Sequence, residues 1–297
     1  MDYKQHYSKS KHSVSRRDFL RLIALTGLDV ILLTIGGVYM GKYGPSWLDV
    51  HEVSLELPRL EKSFSGFRMV QISDLHFGGW MTTEYLTEVI QTVVEQSPDL
   101  VVITGDFVTG YNRAPDVMEK LDELAAALKV LSERSPTLAV LGNHDYWLDR
   151  ESVIDVLRQA GIKDLNNSVQ TIELGGKHLH IAGVDDVMER HARMDLVLSR
   201  LPDEGCAILL AHEPDYADVS ARTGRFDLQL SGHSHGGQVV LPLIGAPVLP
   251  NLGRKYPSGL YKVKGMYQYT NRGVGMTTPY VRFNCRPEIT VFILESI

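Results

Sequence analysis

Several short apolar runs in this 297-residue chain end in the same way, on a small polar cluster of Asp, His and Asn, and that recurrence restricts the fold more than any other feature. Asp74-Leu75-His76 follows Val70-Gln71-Ile72-Ser73, Gly105-Asp106 follows residues 100–104, and Gly142-Asn143-His144-Asp145 follows residues 137–141. His212 follows residues 206–211, and His233-Ser234-His235 follows residues 226–230. Short apolar runs bounded by turn signals read as buried strands. In the first half the expected strands 67–73, 99–104 and 137–141 alternate with helical stretches at 82–96, 115–132 and 150–160, the pattern of βαβ units in a parallel sheet. The carboxyl ends of such strands line a ligand crevice.

The second half changes character. Strands are expected at 169–174, 177–183, 206–211, 227–230, 239–241, 259–263, 268–271 and 289–294, with helices only at 194–201 and 214–222. The fold class that follows is α/β, with two packed mixed β-sheets flanked by helices in four layers, α/β/β/α, the second sheet the more antiparallel one. Residues 241–259, rich in Pro and Gly, read as a surface loop rimming the crevice.

The amino end stands apart. Residues 1–21 hold six basic side chains against Asp2 and Asp18, a local +4 that leaves −10 on the rest of a chain whose formal charge is −6. An acidic body excludes bulk nucleic-acid binding by phosphate neutralisation. Ser15-Arg16-Arg17-Asp18-Phe19-Leu20-Arg21 is a twin-arginine export pattern, followed by the largely apolar residues 20–41. Those 22 residues reach about 33 Å as a helix, enough for a hydrocarbon core of about 30 Å. Asp29 would cost about 2.5 to 3.5 kcal/mol within it. No Ala-x-Ala-like cleavage site precedes Lys42, so a signal peptide and a retained anchor both stay open. The organisation expected is an export signal or membrane anchor at 1–41, a linker at 42–49 and a catalytic domain at 50–297. Export machinery would then be a partner, membrane contact would run through residues 20–41, and the body would lie at the outer membrane face or in the periplasm or cell wall. Cys206 and Cys285 are too few for a disulfide framework and read as small buried apolar residues.

The two imidazoles of His233-Ser234-His235 lie two residues apart behind an apolar run, which aims both at one point beyond a sheet edge. The string Gly232-His233-Ser234-His235-Gly236 also fits the nucleophile elbow with Ser234 as nucleophile. That motif needs a helix next and then an acid and a histidine downstream, whereas an extended stretch ending at Pro242 follows and no histidine occurs after His235. Asp74, His76, Asp106, Asn143, His212, His233 and His235 offer seven donors, too many for one catalytic ion that takes three plus water. Two metals, sharing a carboxylate and clamping the attacking and leaving oxygens at phosphorus, fit better, with a bridging hydroxide as nucleophile. The nitrogen and oxygen donors suit Mn, Fe, Zn or Co.

The series Asp74-x-His76, Gly105-Asp106, Gly142-Asn143-His144-Asp145, His212 and Gly232-His233-x-His235 resembles the calcineurin-like metallophosphoesterase superfamily. Thr270-Asn271-Arg272-Gly273-Val274-Gly275 and Asn284-Cys285-Arg286-Pro287-Glu288, with the export pattern, resemble its YaeI/YkuE-like phosphodiesterase branch. The resemblance implies one metal held by Asp74, His76, Asp106 and His235 and another by Asp106, Asn143, His212 and His233, with Asp106 bridging. It implies that His144 stays off the metals and assists the leaving group, oriented by Asp145, whose carboxylate would raise the ring's pKa. Thr109 stands where purple acid phosphatases carry tyrosine, so a coloured iron-tyrosinate centre is not expected.

The activity expected is hydrolysis of phosphate esters, foremost diesters. The alternative within that class is an extracytoplasmic pyrophosphatase or phosphodiesterase acting on lipid-linked or nucleotide-sugar substrates, motivated by the anchor-like segment. A scaffold without catalysis would be expected to lack donors or His144, and no histidine follows Glu at the spacing of His-Glu-x-x-His or Glu-x-x-His sites. Arg113, Arg254, Lys255 and Arg272 are candidates for gripping phosphate. His178 and His180 read as solvated strand-face residues, and Asp185-Asp186 as a turn pair.

Overall fold

The computed structural model describes residues 15–17, 34, 36–110 and 115–297. Arg113 and most of the expected export segment lie outside the described residues. Among the described residues no helix is long and apolar enough to cross a membrane.

Strands β1 (Asp49–Leu57), β2 (Phe67–Ile72), β3 (Leu100–Thr104), β4 (Thr137–Val140) and β5 (Lys163–Asp164) form one sheet together with the last strand, β12 (Glu288–Ser296), in the order β1-β12-β2-β3-β4-β5. β2 to β5 run parallel, while β12 inserts antiparallel to β2 and parallel to β1. The second sheet holds β6 (Ser168–Leu174), β7 (Lys177–Gly183), β8 (Cys206–Leu210), β9 (Leu228–Ser231), β10 (Gly259–Val263) and β11 (Met266–Thr270) in the order β10-β11-β9-β8-β7-β6.

Period-two alternation sorts these strands into layers. Met69, Leu100, Val102, Leu138 and Val140 point from the first sheet into a core shared with Leu179, Ile181, Ile208, Leu210, Leu228 and Leu230 of the second. Val70, Ile72, Val101 and Ile103 face the other way, onto helices α1 (Thr83–Glu95), α2 (Leu121–Arg134) and α4 (Arg150–Gln159). Ala182, Ala207 and Leu209 turn outward from the second sheet onto Val197 of α5 (Met194–Arg200) and the short turns at 214–223. The result is the four-layer α/β/β/α sandwich, and burial on both faces explains why the strands read as unbroken apolar runs.

Four details depart from the sequence reading. The second sheet is parallel through β7, β8, β9 and β11 and antiparallel only in its edge pairs, β10–β11 and β6–β7, because its middle is covered on both faces. Residues 239–241 form isolated bridges, to Phe283 and Gly245, instead of a strand, since Pro242 has no N–H to extend a ladder. The stretch 115–132 breaks into a turn at Pro115–Met118 and helix α2. A helix absent from the apolar periodicity, α3 (Asn143–Leu148), begins inside the Gly-Asn-His-Asp cluster. Ile208 lies fully buried at the centre of the inter-sheet core. Ile208→Ala is therefore expected to lower unfolding stability by about 2 to 5 kcal/mol in chemical denaturation, and a loss below about 1 kcal/mol would contradict a tightly packed interface between the sheets.

Candidate metal centre

The carboxyl ends of β2, β3, β4, β8 and β9 converge, and the backbone there departs from strand geometry at once. Asp74, His76, Asp106, His233 and His235 all adopt left-handed conformations, with φ between 47° and 68°. Each such residue costs about 1 to 3 kcal/mol and persists only where surroundings hold it. Glycine makes the approach possible: a Cβ on Gly142 would lie 2.4 Å from Asp106 Oδ1 and 2.7 Å from His212 Nε2, and one on Gly232 would meet Ser73 Oγ at 1.9 Å.

Asp145 is the buried post to which this backbone is tied. As the third residue of α3 its carboxylate accepts the N–H of Gly142 at 2.9 Å, half of a capping box. The same carboxylate accepts from the N–H groups of Asp106 (3.0 Å), Phe107 (2.8 Å) and Val108 (3.3 Å). His144 is held by a different partner, its Nδ1 accepting the Gly110 N–H at 3.3 Å while its ring stands edge-on to His76 and tilted against Trp147. The Asp106 carboxylate is fixed in turn, Oδ1 accepting the His144 N–H at 2.9 Å.

Three donor groups result, each with ligand atoms mutually within 4.8 Å: Asp74, His76 and His235; Asp106, His212 and His233; and His76, Asp106 and His144. Asp106 Oδ2 lies 3.2 Å from His212 Nε2 on one side and 3.6 Å from His76 Nε2 on the other. His235 Nε2 sits 2.9 Å from His76 Nε2 and 3.3 Å from Asp74 Oδ1.

The tautomers test whether a cation fits. His212 Nδ1 is 2.6 Å from the Thr104 carbonyl and His233 Nε2 is 2.8 Å from the Asn251 carbonyl. Carbonyl oxygens only accept, so both of those nitrogens carry hydrogen, and in the neutral rings the lone pairs fall on His212 Nε2 and His233 Nδ1. Those two atoms face each other at 3.3 Å beside the Asp106 carboxylate. Asn143 Oδ1, buried and without a hydrogen-bond partner among the described residues, adds an acceptor. Converging acceptors without donors are the arrangement a divalent cation stabilises, and outer hydrogen bonds of this kind orient ligating histidines.

The electrostatics agree. Burial pulls the His212 ring down, yet the Asp106 carboxylate overrides it and holds the ring well above its ordinary value. Burial pushes Asp106 up, yet His212 and His144 hold it well below the usual carboxylate range. The space between them favours positive charge. Elsewhere desolvation prevails: burial raises Asp74 to about 7 and Asp145 to about 8, and lowers His76 to about 3. Burial also lowers His144, against the expectation that a neighbouring carboxylate would raise it.

Beside these donors opens a cleft of ≈ 490 Å³, which Asp106, Asn143, His144, His233 and His235 also line. Its remaining wall is largely apolar, built from Trp147, Met188, Val248, Leu249, Pro250 and Val281 among others, and among the described residues no Lys or Arg lines it. Sequence reasoning missed this wall, although the uncharged run 239–252 carried the signal. Of the basic residues expected at phosphate, Arg113 lies outside the described residues and the other three are engaged elsewhere. Arg272 pairs with Glu288 and Asp49, Lys255 with Asp218, and the Arg254 Nε reaches the Leu249 carbonyl. His178 is exposed as expected, but His180 is buried and bonded to Thr171. Asp185 and Asp186 are buried too: Asp185 accepts from the Tyr146 hydroxyl, and Asp186 from the Glu189 N–H. Cys206 and Cys285 are both buried and free.

The sequence profile of the family described as calcineurin-like phosphoesterase matches residues 67–237. The chain is 37% identical to the metallophosphoesterase YkuE of Bacillus subtilis (strain 168), over 95% of this chain and 98% of that protein. It is 31% identical to phosphodiesterase YaeI of Escherichia coli (strain K12), over 95% and 99% respectively. A solved dimetal phosphatase from Danio rerio is 13% identical, with a TM-score of 0.45 over 71% of this chain and 88% of that one.

The close approach at Gly142 yields a test that leaves every donor in place. Gly142→Ala should fold, as judged by circular dichroism, yet bind divalent metal at least tenfold more weakly, because Asp106 and His212 must move apart. Unchanged metal affinity in a folded variant would show that this spacing does not matter.

Proposed function

Because this chain belongs to the calcineurin-like phosphoesterase family and is a hydrolase of phosphate esters, we propose that it cleaves phosphodiesters with two divalent metals held by Asp74, His76, Asp106, Asn143, His212, His233 and His235. The observation that carries this reading is the pair of imidazole lone pairs facing each other beside Asp106, with orienting carbonyls behind both rings. Metals bound there would draw charge from the phosphoryl oxygens and lower the pKa of water.

The chain's own groups supply the rest. Asp106, whose Oδ2 lies between His212 and His76, would be the carboxylate shared by the two ions. His144, with Nδ1 occupied by the Gly110 N–H, keeps its proton on Nε2 when neutral and offers it to the leaving oxygen. Asp145 serves both residues through the backbone, fixing the loop that carries Asp106 and the start of the helix that carries His144. The apolar wall excludes water on the leaving-group side and favours a diester with one apolar arm. That preference supports the lipid-linked reading over a nucleotide sugar, since a second phosphate would meet no lysine or arginine among the described residues of the cleft. The twin-arginine pattern supports work outside the cytoplasm.

Asp106→Asn should lose metal and activity together, by elemental analysis and diester assay. His144→Ala should keep its metal and slow turnover about 10² to 10⁴-fold, the usual scale of general acid catalysis. A His144→Ala protein that emerges metal-free would move His144 into the ligand set. Chelation should abolish hydrolysis and added Mn or Zn restore it; hydrolysis persisting after metal removal is verified would end the metal-dependent reading.

A further inference from the structure

Residues 239–252, Val-Val-Leu-Pro-Leu-Ile-Gly-Ala-Pro-Val-Leu-Pro-Asn-Leu, contain no charged side chain, yet the segment is a surface loop. At its tip Leu243 is 108% exposed and Ile244 74%, with Val248 at 75% just behind. Connecting loops in water are ordinarily polar, and a contiguous exposed apolar patch of this kind marks a surface that something covers. The tip is also built. Leu241 and Gly245 pair across it, and Leu243 is held at φ 67°, a left-handed conformation that costs a bulky residue and here presents its side chain to solvent.

Position says what covers it. Val248, Leu249 and Pro250 of the loop line the cleft, so the tip stands at the mouth of the metal centre. The start of the loop is tied to Phe283 through the Val240 N–H and the Gln238 carbonyl. The same short stretch receives the amino-terminal segment: Arg282 N–H donates to the Met40 carbonyl at 3.0 Å, and the Tyr39 ring packs edge-on against Phe283. Tyr39 and Met40 therefore meet the body beside the start of the loop. Tyr43 is exposed a few residues on, with Lys42 over its ring, and exposed Arg254 reaches the Leu249 carbonyl of the loop. Apolar side chains bordered by cations suit the interface of an anionic bilayer.

We propose that residues 241–248 are a membrane-docking tip which, together with the adjoining residues 39–43, sets the cleft mouth against an anionic lipid bilayer, so that phosphodiester lipids enter with their apolar arm along Trp147, Val248 and Leu249. The substrate half of this proposal rests on the phosphodiesterase reading above; the docking half does not.

The test uses the full-length chain with an environment-sensitive fluorophore on Leu243→Cys, the two native cysteines being buried. Adding vesicles of phosphatidylcholine and phosphatidylglycerol should shift emission to the blue, and lipid-borne quenchers should reach the dye. No shift overturns docking whatever the enzyme hydrolyses, and a blue shift that grows with protein concentration without vesicles overturns it in favour of a second copy of the chain. Leu243→Ser combined with Ile244→Ser should then reduce hydrolysis of phosphatidylglycerol in vesicles about tenfold or more while leaving soluble bis(p-nitrophenyl) phosphate unaffected. An equal loss on both substrates would overturn the proposal by showing that the tip supports the fold of the site. Failure to hydrolyse either substrate while the dye still enters the bilayer would sink the phosphodiesterase reading and leave docking standing.

Discussion

One buried carboxylate organises the strand ends on which the site is built. Asp145 gathers the N–H groups of Gly142, Asp106, Phe107 and Val108, and so joins the end of β4 to the loop after β3. Without such an anchor the left-handed turn at Asp106 would relax, because nothing in the local sequence favours that conformation for aspartate by more than a small margin. The interaction is local to two strand ends, yet Asp106 touches both His76 and His212, so the tie extends to β2 and β8. Folding energy collected by the two sheets is thereby spent holding five donors in strained backbone.

The sequence made the layers and the donors legible because both write themselves in simple patterns. Apolar runs ending in Asp, His or Asn announce strands buried on two faces whose carboxyl ends carry chemistry, and β2, β3, β4, β8 and β9 follow that pattern to within a residue or two. Strand order is a different matter. The insertion of β12 between β1 and β2 rests on contacts more than two hundred residues apart, such as Val53 with Phe292, which no local period encodes. Helix α3 escaped notice because its first turn is the donor cluster itself, so polar residues occupy positions where periodicity looks for apolar ones. The work of Asp145 was hidden for a related reason: its partners are main-chain groups, and main-chain donors have no letter in a sequence.

The apolar wall of the cleft has the same origin as the misreading of residues 239–241. An uncharged run resembles a strand, but Pro242, Pro247 and Pro250 cannot donate to a ladder, so the run folds over the site as a loop and keeps its side chains for the cleft and its surroundings. The carbonyl of Asn251, at the far end of this loop, orients His233. One segment thus forms part of the rim, part of the wall and an outer support for a donor histidine, which couples the position of the loop to the geometry of the centre.

The charge balance of the cleft bears on the substrate proposed for it. Asp74 and Asp106 are the acidic donors, and among the described residues no lysine or arginine lines the cavity to oppose them. A phosphate approaching those carboxylates alone would be repelled in a medium of low dielectric, where charges act over longer distances than in water. The two divalent cations proposed would outweigh two carboxylates and reverse the sign at the floor of the cleft, leaving the rest of the wall neutral. Attraction for anions is then confined to the place where the reacting phosphorus must sit. A substrate with one charged phosphate and an apolar arm matches that distribution, whereas a polyphosphate would carry charge onto a wall that offers it nothing.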